Sequence, residues 1–414
     1  MASYSSFGNS DSSSAVYKNL CLLSAVFAFS VGLTVGILIP LVYLNAPSTS
    51  SRNYTSSTPL SLPRLVPINS TNGNTNAMRY PTVSFVKGRA EAAAHSDLLD
   101  DGVYWGKKVE LALPQGYQQH KHTAWQAYVK KAVAVKMEPG CGRMQNRLVT
   151  FEDGAKGCVR YRQNTDQIQG ELFSFYLAKI LQLPNLAPSA VSVVDLAQPL
   201  WKNLRSEIAA AQWNSNRPIV LTQYIPNLNA ASIPEVFKPA ERHLNKFDVV
   251  NASRSDDLVE LAQWSDLIVF DYLTANLDRI VNNLYNYQWN SNIMDAPAHN
   301  LAKKSDDDLL VFLDNESGLL HGYRLLKKYE IYHSVLLENL CVFRRRTADA
   351  IRRLKGGGDV GTLLRAMFDS ENGDGVKDIL PTIPDKSVKI LNDRINRVYD
   401  QIQKCQAMFS DDFL

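Results

Sequence analysis

An uncharged, apolar stretch near the N-terminus constrains this 414-residue chain more than any other feature of its sequence. Residues 20–44 contain no Asp, Glu, Lys or Arg. At about 1.5 Å of rise per residue, a helix of this length spans a hydrocarbon core roughly 30 Å thick with some tilt. A cleavable signal peptide has a shorter apolar region of about 7–15 residues. The sequence therefore predicts an uncleaved transmembrane helix at 20–44, preceded by a cytoplasmic tail at 1–19.

The segment after the apolar stretch indicates which side of the membrane holds the rest of the chain. Residues 45–84 are rich in Ser, Thr, Asn and Pro, which is typical of an extended stalk. The N-glycosylation acceptors Asn53 and Asn69 lie in this stalk, and a third, Asn251, lies in the body of the chain. Basic residues flank the span sparsely, so the positive-inside rule adds only weak support. We expect a single-pass glycoprotein with its bulk in the lumen of the secretory pathway.

The cysteines fit that compartment. One of the five lies in the apolar stretch, which leaves Cys141, Cys158, Cys341 and Cys405. Four lumenal cysteines permit two disulfides in three connectivities, and pairing of sequence neighbours would staple one strand-rich and one helical region. Buried free thiols are the alternative. The 44 Lys and Arg residues nearly balance the 41 Asp and Glu residues, so the net charge does not indicate a nucleic-acid partner.

Hydrophobic periodicity divides the remaining chain into a β-rich lobe at 85–225 and a mostly helical lobe at 226–414. The first should contain helices at 119–137 and 169–183 and strands at 148–151, 158–161, 190–194 and 218–224. The second should contain a helix at 258–273, a polar loop at 276–283, short strands at 284–289 and 309–313, and helices at roughly 329–354, 359–369 and 386–409. The predicted class is α+β, with two lobes and a cleft between them.

A polar loop and the end of an apolar strand carry the residues that suggest chemistry. Asp278 and Asn283 have the Asp-x-x-x-x-Asn spacing of a kinase catalytic loop, although the usual His-Arg before the Asp is absent. Asp314 follows a short apolar run, where a metal-binding Asp belongs, and Asn315-Glu316 replaces the common Phe-Gly. Phosphoryl transfer needs one carboxylate facing the attacking hydroxyl and another on the metal. Either motif alone is weak, because such spacings occur by chance.

Several linked stretches in the same order make the pattern more specific. The run Asp-Tyr-Leu-Thr-Ala-Asn-Leu-Asp-Arg at 271–279 and the run Leu-Asp-Asn-Glu-Ser-Gly at 313–318 resemble the secretory-pathway kinase family that contains the Golgi casein kinase. The stretches 167–171 and 314–324 are similar to the Four-jointed members of that family. The similarity extends over most of 100–410. It implies an atypical, bilobal protein-kinase-like fold behind the membrane helix.

The resemblance implies a role for each matched acid. Asp278 would be the catalytic carboxylate that accepts or orients the proton of the substrate hydroxyl. Asp314 would hold the divalent ion that bridges the phosphates of ATP, with Asn283 as a second ligand. Mn²⁺ is the ion expected in such lumenal kinases, and an all-oxygen site of Asp and Asn would also suit Mg²⁺.

The resemblance leaves open which cation binds the phosphates. Glu171 matches the family's helix glutamate, which lies near the phosphate-binding cation and the metal. Arg160 falls where the family usually has a strand lysine, and the two residue types are not interchangeable. Lys156 and Arg162 are alternatives by proximity. The Gly-Cys-Gly run at 140–142 is an irregular candidate for the glycine-rich lid.

The resemblance also implies a substrate and a location. Four-jointed members phosphorylate Ser or Thr in extracellular cadherin repeats of Fat and Dachsous inside the Golgi. We therefore expect a single-pass type II Golgi membrane protein with a part in planar cell polarity and growth control; whether cleavage of the stalk also releases a secreted form stays open. Asn315 is formally a glycosylation acceptor, but a glycan beside Asp314 would crowd the site, so we expect Asn315 to be unmodified.

Two other functions stay open. A Golgi glycosyltransferase has the same order of tail, anchor, stalk and lumenal domain. The Asp-Asp-Asp run at 306–308 also satisfies the Asp-x-Asp motif of such enzymes. That run precedes an apolar strand instead of following one, which disfavours the assignment. A pseudokinase that binds cadherins or activates another kinase would explain Arg160 and the sparse lid glycines, whereas the retained Asp278 and Asp314 favour catalysis.

Overall fold

The computed structural model describes residues 97–239, 242–252 and 255–409. Across these ranges, no helix is both long enough and apolar enough to cross a membrane. The predicted tail, transmembrane helix and stalk at 1–84 lie outside the described residues, and so do the acceptors Asn53 and Asn69. Asn251 is described, and it is exposed at the end of a short helix, as attachment of a glycan would require.

A strand pair and two helices begin the described fold: β1 (Leu99–Asp100), β2 (Tyr104–Trp105), α1 (Lys107–Ala112) and α2 (Gln119–Val129). The elements of the sheet lobe follow: β3 (Ala134–Pro139), β4 (Arg147–Phe151), β5 (Lys156–Tyr161), α3 (Thr165–Ile180), β6 (Ser189–Val193), α4 (Arg205–Ala210) and β7 (Pro218–Gln223). The strands form one five-stranded antiparallel sheet in the order β3-β4-β5-β7-β6. The strands predicted at 148–151, 158–161, 190–194 and 218–224 are therefore present.

Alternation along β5 decides which of its side chains reaches the cleft. Val159 and Tyr161 are buried in a core cluster on one face of the sheet. Successive side chains of a strand point to opposite faces, so Arg160 between them lies on the other face. β5 pairs with β4 on one edge and with β7 on the other. Arg160 therefore lies on a central strand, whose backbone is fixed by pairing with a neighbour on each edge.

The predicted helix at 119–137 is only half correct. The helix α2 ends at Val129, and the residues from Ala134 onward form β3. The register of β3 with β4 runs from Ala134 opposite Phe151 to Pro139 opposite Arg147. A short apolar run fits either a helix or a strand, and pairing with a neighbouring strand decides between them.

The helix α3 packs against the sheet and against the 3₁₀ turn that contains Glu316. Asn164 caps its first turn by accepting a backbone hydrogen bond. The predicted helix at 169–183 is confirmed, with its start four residues earlier. Gly170 allows close packing, because a Cβ atom there would lie 2.6 Å from the carbonyl oxygen of Glu316. This contact holds the neighbouring Glu171 against the turn that carries Asp314.

Helices dominate the remainder of the chain. Its elements are β8 (Leu228–Ala230), α5 (Lys246–Asn251), α6 (Ser255–Thr274), α7 (Ile280–Asn286), β9 (Leu301–Lys304), β10 (Leu310–Phe312), α8 (Leu320–Glu338), α9 (Arg345–Lys355), α10 (Val360–Glu371), α11 (Asp374–Lys377) and α12 (Asp385–Phe409). Single 3₁₀ turns lie at Glu235–Phe237, Ser291–Met294 and Asn315–Ser317. The strands β8, β9 and β10 form a second antiparallel sheet. The apolar helix α6 packs against α8 and α12 at the centre of this part.

Three secondary-structure predictions in this half are wrong. The expected loop at 276–283 and strand at 284–289 are replaced in part by α7, which buries Ile280, Val281 and Leu284 on one side. The expected helix at 329–354 is two helices, because the chain between α8 and α9 leaves the helical path. There the backbone N–H of Cys341 donates to the carbonyl oxygen of Leu244, which is a bond to another segment of the chain.

Two disulfides tie distant parts of the fold together. Cys141 bonds to Cys158, and Cys341 bonds to Cys405. The pairing of sequence neighbours is confirmed, and the alternative of free thiols is wrong for these four residues. The first bond joins the loop after β3 to β5, and the second joins the segment before α9 to α12.

Candidate active site

A cavity of about 310 Å³ lies between the five-stranded sheet and the helical part of the chain. Arg160 of β5, Glu171 of α3 and Asp314 after β10 line it together with the disulfide between Cys141 and Cys158. Its volume lies within the range of small-molecule and cofactor sites in proteins. The cavity therefore gathers residues from both halves of the described chain.

An ion pair at the cavity joins the sheet to α3. Arg160 Nη1 lies 2.6 Å from Glu171 Oε2. Burial alone would lower the pKa of Arg160, but Glu171 and Asp314 raise it above its usual value, so the guanidinium stays charged. Burial raises the pKa of Glu171, and the charge of Arg160 opposes that rise. The residues that match the strand cation and the helix glutamate are thus in direct contact.

Asp314 stands at a sharp turn directly after β10. Its backbone is left-handed, with φ of 51°. Asp tolerates this region better than most residues because its short polar side chain can bond locally. Arg160 Nη2 lies 3.2 Å from Asp314 Oδ1. One arginine therefore contacts both the helix glutamate and the expected metal ligand.

Buried Arg279 holds the loop that carries Asp278. Arg279 pairs with Asp271 of α6, and its Nη2 donates to the carbonyl oxygen of Leu313 at 2.9 Å and to Asn315 Oδ1 at 2.5 Å. Burial raises the pKa of Asp271 to about 7, and the charge of Arg279 opposes the rise. These bonds tie the Asp278 loop to the turn after β10. Arg279 is a positioning residue that the sequence analysis did not single out.

One guanidinium bridges the two acids that the sequence singles out. Arg143 Nη2 lies 3.8 Å from Asp278 Oδ2, and Arg143 Nε lies 3.7 Å from Asp314 Oδ2. Because both carboxylates contact the same planar group, they face the same space. The structure therefore brings together Asp278 and Asp314, which are far apart in the sequence.

Glu316 is the centre of the charged cluster, and the sequence analysis did not assign it a role. Its side chain is only 1% exposed. It contacts Arg162 Nε at 2.6 Å, Arg143 Nη1 at 2.8 Å and Arg160 Nε at 3.3 Å, and it accepts a hydrogen bond from Gln167 Nε2 at 3.2 Å. The sequence feature that could have identified Glu316 is its position, because it replaces the glycine of the common Asp-Phe-Gly motif.

Among the three cations that the sequence left open, Arg160 is the one in the cavity. Lys156 is exposed at the start of β5, four residues and so about 13 Å along the strand from Arg160. Arg162 is buried, and its Nη1 donates to Asn146 Oδ1 at 2.7 Å. The cavity lining includes neither Lys156 nor Arg162.

Asn283, the expected second metal ligand, lies buried on α7. Its Nδ2 donates to the carbonyl oxygen of Ile293 at 2.9 Å, and it does not line the cavity. Asn300 does line the cavity, and its Nδ2 donates to the carbonyl oxygen of Asp278 at 3.4 Å. Asn315, the formal glycosylation acceptor, is buried with both amide atoms hydrogen-bonded inside the fold. The sequence pattern therefore pointed to Asn283, whereas the structure brings Asn300 into the cavity.

The acids of the cavity have oxygen donors that fit a divalent ion. As the side chains stand, no three His, Cys, Asp or Glu residues of the described ranges are arranged to hold a metal, since Arg143 and Arg160 lie between the carboxylates. Asp314 Oδ1 and Glu316 Oε2 are buried and receive no hydrogen bond of acceptable angle. Carboxylate oxygens are the ligands that Mg²⁺ and Mn²⁺ prefer. These carboxylates therefore suit a divalent ion if Arg143 or Arg160 moves away from Asp314.

The Asp-Asp-Asp run at 306–308 lies elsewhere. It forms the turn between β9 and β10, where its carboxylates pair with Lys303 and Lys304. None of the three acids lines the cavity. The alternative of a glycosyltransferase motif therefore finds no support in this cavity.

Comparison with known proteins finds relatives of one kind. The family model of the Four-jointed box protein middle domain matches residues 120–408. The "Extracellular serine/threonine protein kinase four-jointed" of Drosophila melanogaster is 51% identical over 378 residues, which cover 80% of this chain and 64% of that protein. The match thus spans just under two thirds of the fly protein. The "Four-jointed box protein 1" of Homo sapiens is 35% identical over 331 residues, which cover 78% of this chain and 75% of that protein.

Solved structures of low sequence identity are also similar to this chain. A structure of hydra Fam20 with sugar superposes with a TM-score of 0.50 at 13% identity and covers 78% of this chain and 97% of that one. The Golgi casein kinase with Mn/ADP bound has a TM-score of 0.46 at 11% identity, over 70% of this chain and 77% of that one. The likeness to hydra Fam20 shows that the described chain has the same mixed α/β, kinase-like fold.

Proposed function

This chain belongs to the Four-jointed box family, and we propose that it is an ATP-dependent protein serine/threonine kinase. Its fly relative is named as a kinase of this specificity. The observation that carries the proposal is the convergence of Asp278 and Asp314 on Arg143, beside the ion pair of Arg160 with Glu171. These are the acids, the cation and the helix glutamate that phosphoryl transfer in kinases requires.

Asp278 takes the proton in the proposed reaction. The hydroxyl oxygen of a Ser or Thr in the acceptor attacks the γ-phosphorus of ATP. The bond from that phosphorus to the β–γ bridging oxygen breaks, ADP leaves, and the hydroxyl proton passes to the carboxylate of Asp278. The backbone N–H of Asp278 donates to Asn276 Oδ1 at 3.1 Å, which helps to fix the loop. A positioned general base of this kind accelerates a reaction by about 10²–10⁴-fold.

Arg160 holds the phosphates in this proposal. Its guanidinium is charged, lines the cavity, and is kept in place by Glu171 on one side and Glu316 on the other. A guanidinium can bind phosphate oxygens with two parallel hydrogen bonds, which fixes their orientation as well as their charge. Phosphoryl transfer depends mainly on such positioning and charge stabilisation.

Asp314 would hold the divalent ion, with Glu171 and Glu316 offering further carboxylate oxygens nearby. When bound, Mn²⁺ or Mg²⁺ neutralises the phosphate charge that develops during transfer. Asn283 would bind the ion through Oδ1, while its Nδ2 donates to the carbonyl oxygen of Ile293.

The substrate and the location are proposed from the family. We propose Ser or Thr of extracellular cadherin repeats of the Fat and Dachsous type as acceptors, with a part in planar cell polarity and growth control. We place the protein in the Golgi membrane through the helix predicted at 20–44. The two disulfides support an oxidising compartment, because such bonds are rare in the cytosol.

The proposal is tested with the purified full chain, radiolabelled ATP, Mn²⁺ and a purified cadherin repeat. Asp278→Asn should reduce label transfer by about 10²–10⁴-fold, and Asp314→Ala should abolish it. Asp306→Asn is the matched control, because it removes an exposed acid that does not line the cavity. Its activity should equal that of the wild type.

Three outcomes would contradict the proposal. Label transfer that survives both Asp278→Asn and Asp314→Ala would show that these acids are not the catalytic pair. Absence of transfer from the wild type, together with hydrolysis of a sugar nucleotide that Asp306→Asn abolishes, would support the glycosyltransferase instead. Tight ATP binding without transfer to any acceptor would support the pseudokinase.

A further inference from the structure

The loop between β3 and β4 lines the cavity with Cys141 and Gly142, and the next residue, Arg143, contacts Asp314 of the lining without lining the cavity itself. Cys141 and Gly142 in this loop have left-handed backbones, with φ of 60° and 90°. The disulfide to Cys158 ties the loop to β5, and Asn146 Nδ2 donates to the carbonyl oxygen of Cys141 at 2.7 Å. The base of the loop is therefore braced, and the Arg143 side chain extends from a fixed position.

Three carboxylates surround Arg143, but only one is at close range. Glu316 lies 2.8 Å from Arg143 Nη1, whereas the contacts with Asp278 and Asp314 are 3.8 Å and 3.7 Å, beyond normal hydrogen-bond distance. The Arg143 side chain is 50% exposed, compared with 14% for Arg160. Long, exposed ion pairs contribute little to stability. Arg143 can therefore leave Asp278 and Asp314 at small cost.

The same two acids must be free in the proposed reaction. Asp278 has to face the acceptor hydroxyl, and Asp314 has to face the metal ion. While Arg143 lies between them, its positive charge stands where the metal charge would be. A phosphate group offers this guanidinium a stronger partner, because charge-assisted, bidentate hydrogen bonds to phosphate are short and well directed. When a nucleotide binds, its phosphate can therefore replace Asp278 and Asp314 as the partner of Arg143.

We propose that Arg143 is a lid arginine with two alternative sets of partners. Without nucleotide, it pairs with Asp278 and Asp314 and competes with the metal ion for Asp314. With nucleotide, it turns about its contact with Glu316 and binds the terminal phosphates, which releases both acids. This inference rests on the proposed function, since it takes ATP as the ligand of the cavity.

The proposal predicts effects of opposite sign on two affinities. In Arg143→Gln, Mn²⁺ alone should bind about two- to fivefold more tightly, because the competing cation is gone; electron paramagnetic resonance of free Mn²⁺ measures this. The non-hydrolysable analogue AMP-PNP, titrated at saturating Mn²⁺, should bind roughly tenfold more weakly, because a phosphate ligand is lost. AMP lacks the terminal phosphates and should bind the variant and the wild type equally.

Lys136→Gln is the matched control. It removes an equal charge from β3 of the same hairpin, and its exposed side chain pairs with Glu138 outside the cavity. Both affinities should stay at their wild-type values. Thermal unfolding of Arg143→Gln should stay close to that of the wild type, because the replaced side chain is half exposed and buried Glu316 keeps its contacts with Arg160 and Arg162.

Failure of this inference can be told apart from failure of the proposed function. If the wild type binds AMP-PNP with Mn²⁺, but Arg143→Gln leaves Mn²⁺ affinity unchanged or weakens both affinities together, the exchange of partners is refuted and the kinase proposal stands. If the wild type binds neither Mn²⁺ nor AMP-PNP, the proposed function fails, and the role of Arg143 fails with it.

Discussion

Arg160→Lys would give this strand the residue that most kinases carry there, yet we expect the change to impair the protein. Three nitrogens of Arg160 contact three carboxylates: Nη1 with Glu171 at 2.6 Å, Nη2 with Asp314 at 3.2 Å and Nε with Glu316 at 3.3 Å. Lysine carries one terminal nitrogen on a flexible stem. It can keep the contact with Glu171, but it cannot keep all three.

The magnitude follows from the contacts that are lost. In the proposed complex, lysine would lose one of the two parallel hydrogen bonds that the guanidinium makes to phosphate, and a hydrogen bond to a charged group contributes about 1.5–3 kcal/mol. The Arg160 side chain is largely buried, so solvent screens its contacts little. Each 1.36 kcal/mol corresponds to a factor of about ten in rate, so losing one such contact lowers kcat/KM for ATP by about 10- to 150-fold. Arg160→Met should lower it further, because it also leaves Glu171 buried without its cation.

Steady-state kinase assays at varied ATP concentration measure the effect. Lys156→Gln is the matched control, because it removes an exposed cation from the same strand outside the cavity. It should leave kcat/KM unchanged. Full activity of Arg160→Lys would show that one ammonium group suffices and would refute the argument from three contacts. A loss in Lys156→Gln with normal activity in Arg160→Lys would place the phosphate-binding cation at Lys156.

Three further changes test the framework around the cavity. Gly170→Ala should destabilise the fold by about 1–3 kcal/mol and weaken ATP binding, because its Cβ would lie 2.6 Å from a backbone carbonyl oxygen of the turn after β10; thermal unfolding and ATP titration check both effects. Arg279→Gln should cost about 3–5 kcal/mol, because Asp271 stays buried without its cation. Burial already raises the pKa of Asp271, so the folded state binds the extra proton and this variant should regain stability as pH falls below neutrality; denaturant unfolding at neutral and mildly acidic pH tests the sign. Cys341→Ser with Cys405→Ser opens a loop of 64 residues and should lower the free energy of unfolding by about 4 kcal/mol in the chain-entropy model, and an unchanged denaturation midpoint would contradict it.

The fold could be predicted from the sequence wherever a local pattern was unambiguous. The strands at 148–151 and 158–161 alternate clearly around a turn, and the helix at 169–183 has a continuous apolar face. The failures lie where a short segment fits two structures. The residues after Val129 and the residues 276–289 contain too few apolar positions for the period to decide between helix and strand, so long-range pairing and packing decide.

The site could be predicted only in part for a related reason. Asp278 and Asp314 belong to recognisable local spacings, and the structure places both at one guanidinium. Arg143, Glu316 and Arg279 act through side-chain contacts with residues distant in the sequence. No local pattern reports such contacts, and an arginine on a polar loop resembles many solvated arginines. Only the fold shows that these charges meet.

Two departures from the usual kinase pattern explain each other in this structure. Arg160 replaces the strand lysine, and Glu316 replaces the glycine of the metal-site motif. In isolation, each departure suggests lost catalysis. In the fold, Arg160 Nε lies 3.3 Å from Glu316 Oε2 without a hydrogen bond of acceptable angle, so the arginine contributes one of the positive charges around the buried acid. A buried carboxylate without a cation is strongly destabilising. The two residues therefore form one compensated unit, and the missing lysine and glycine do not argue for a pseudokinase.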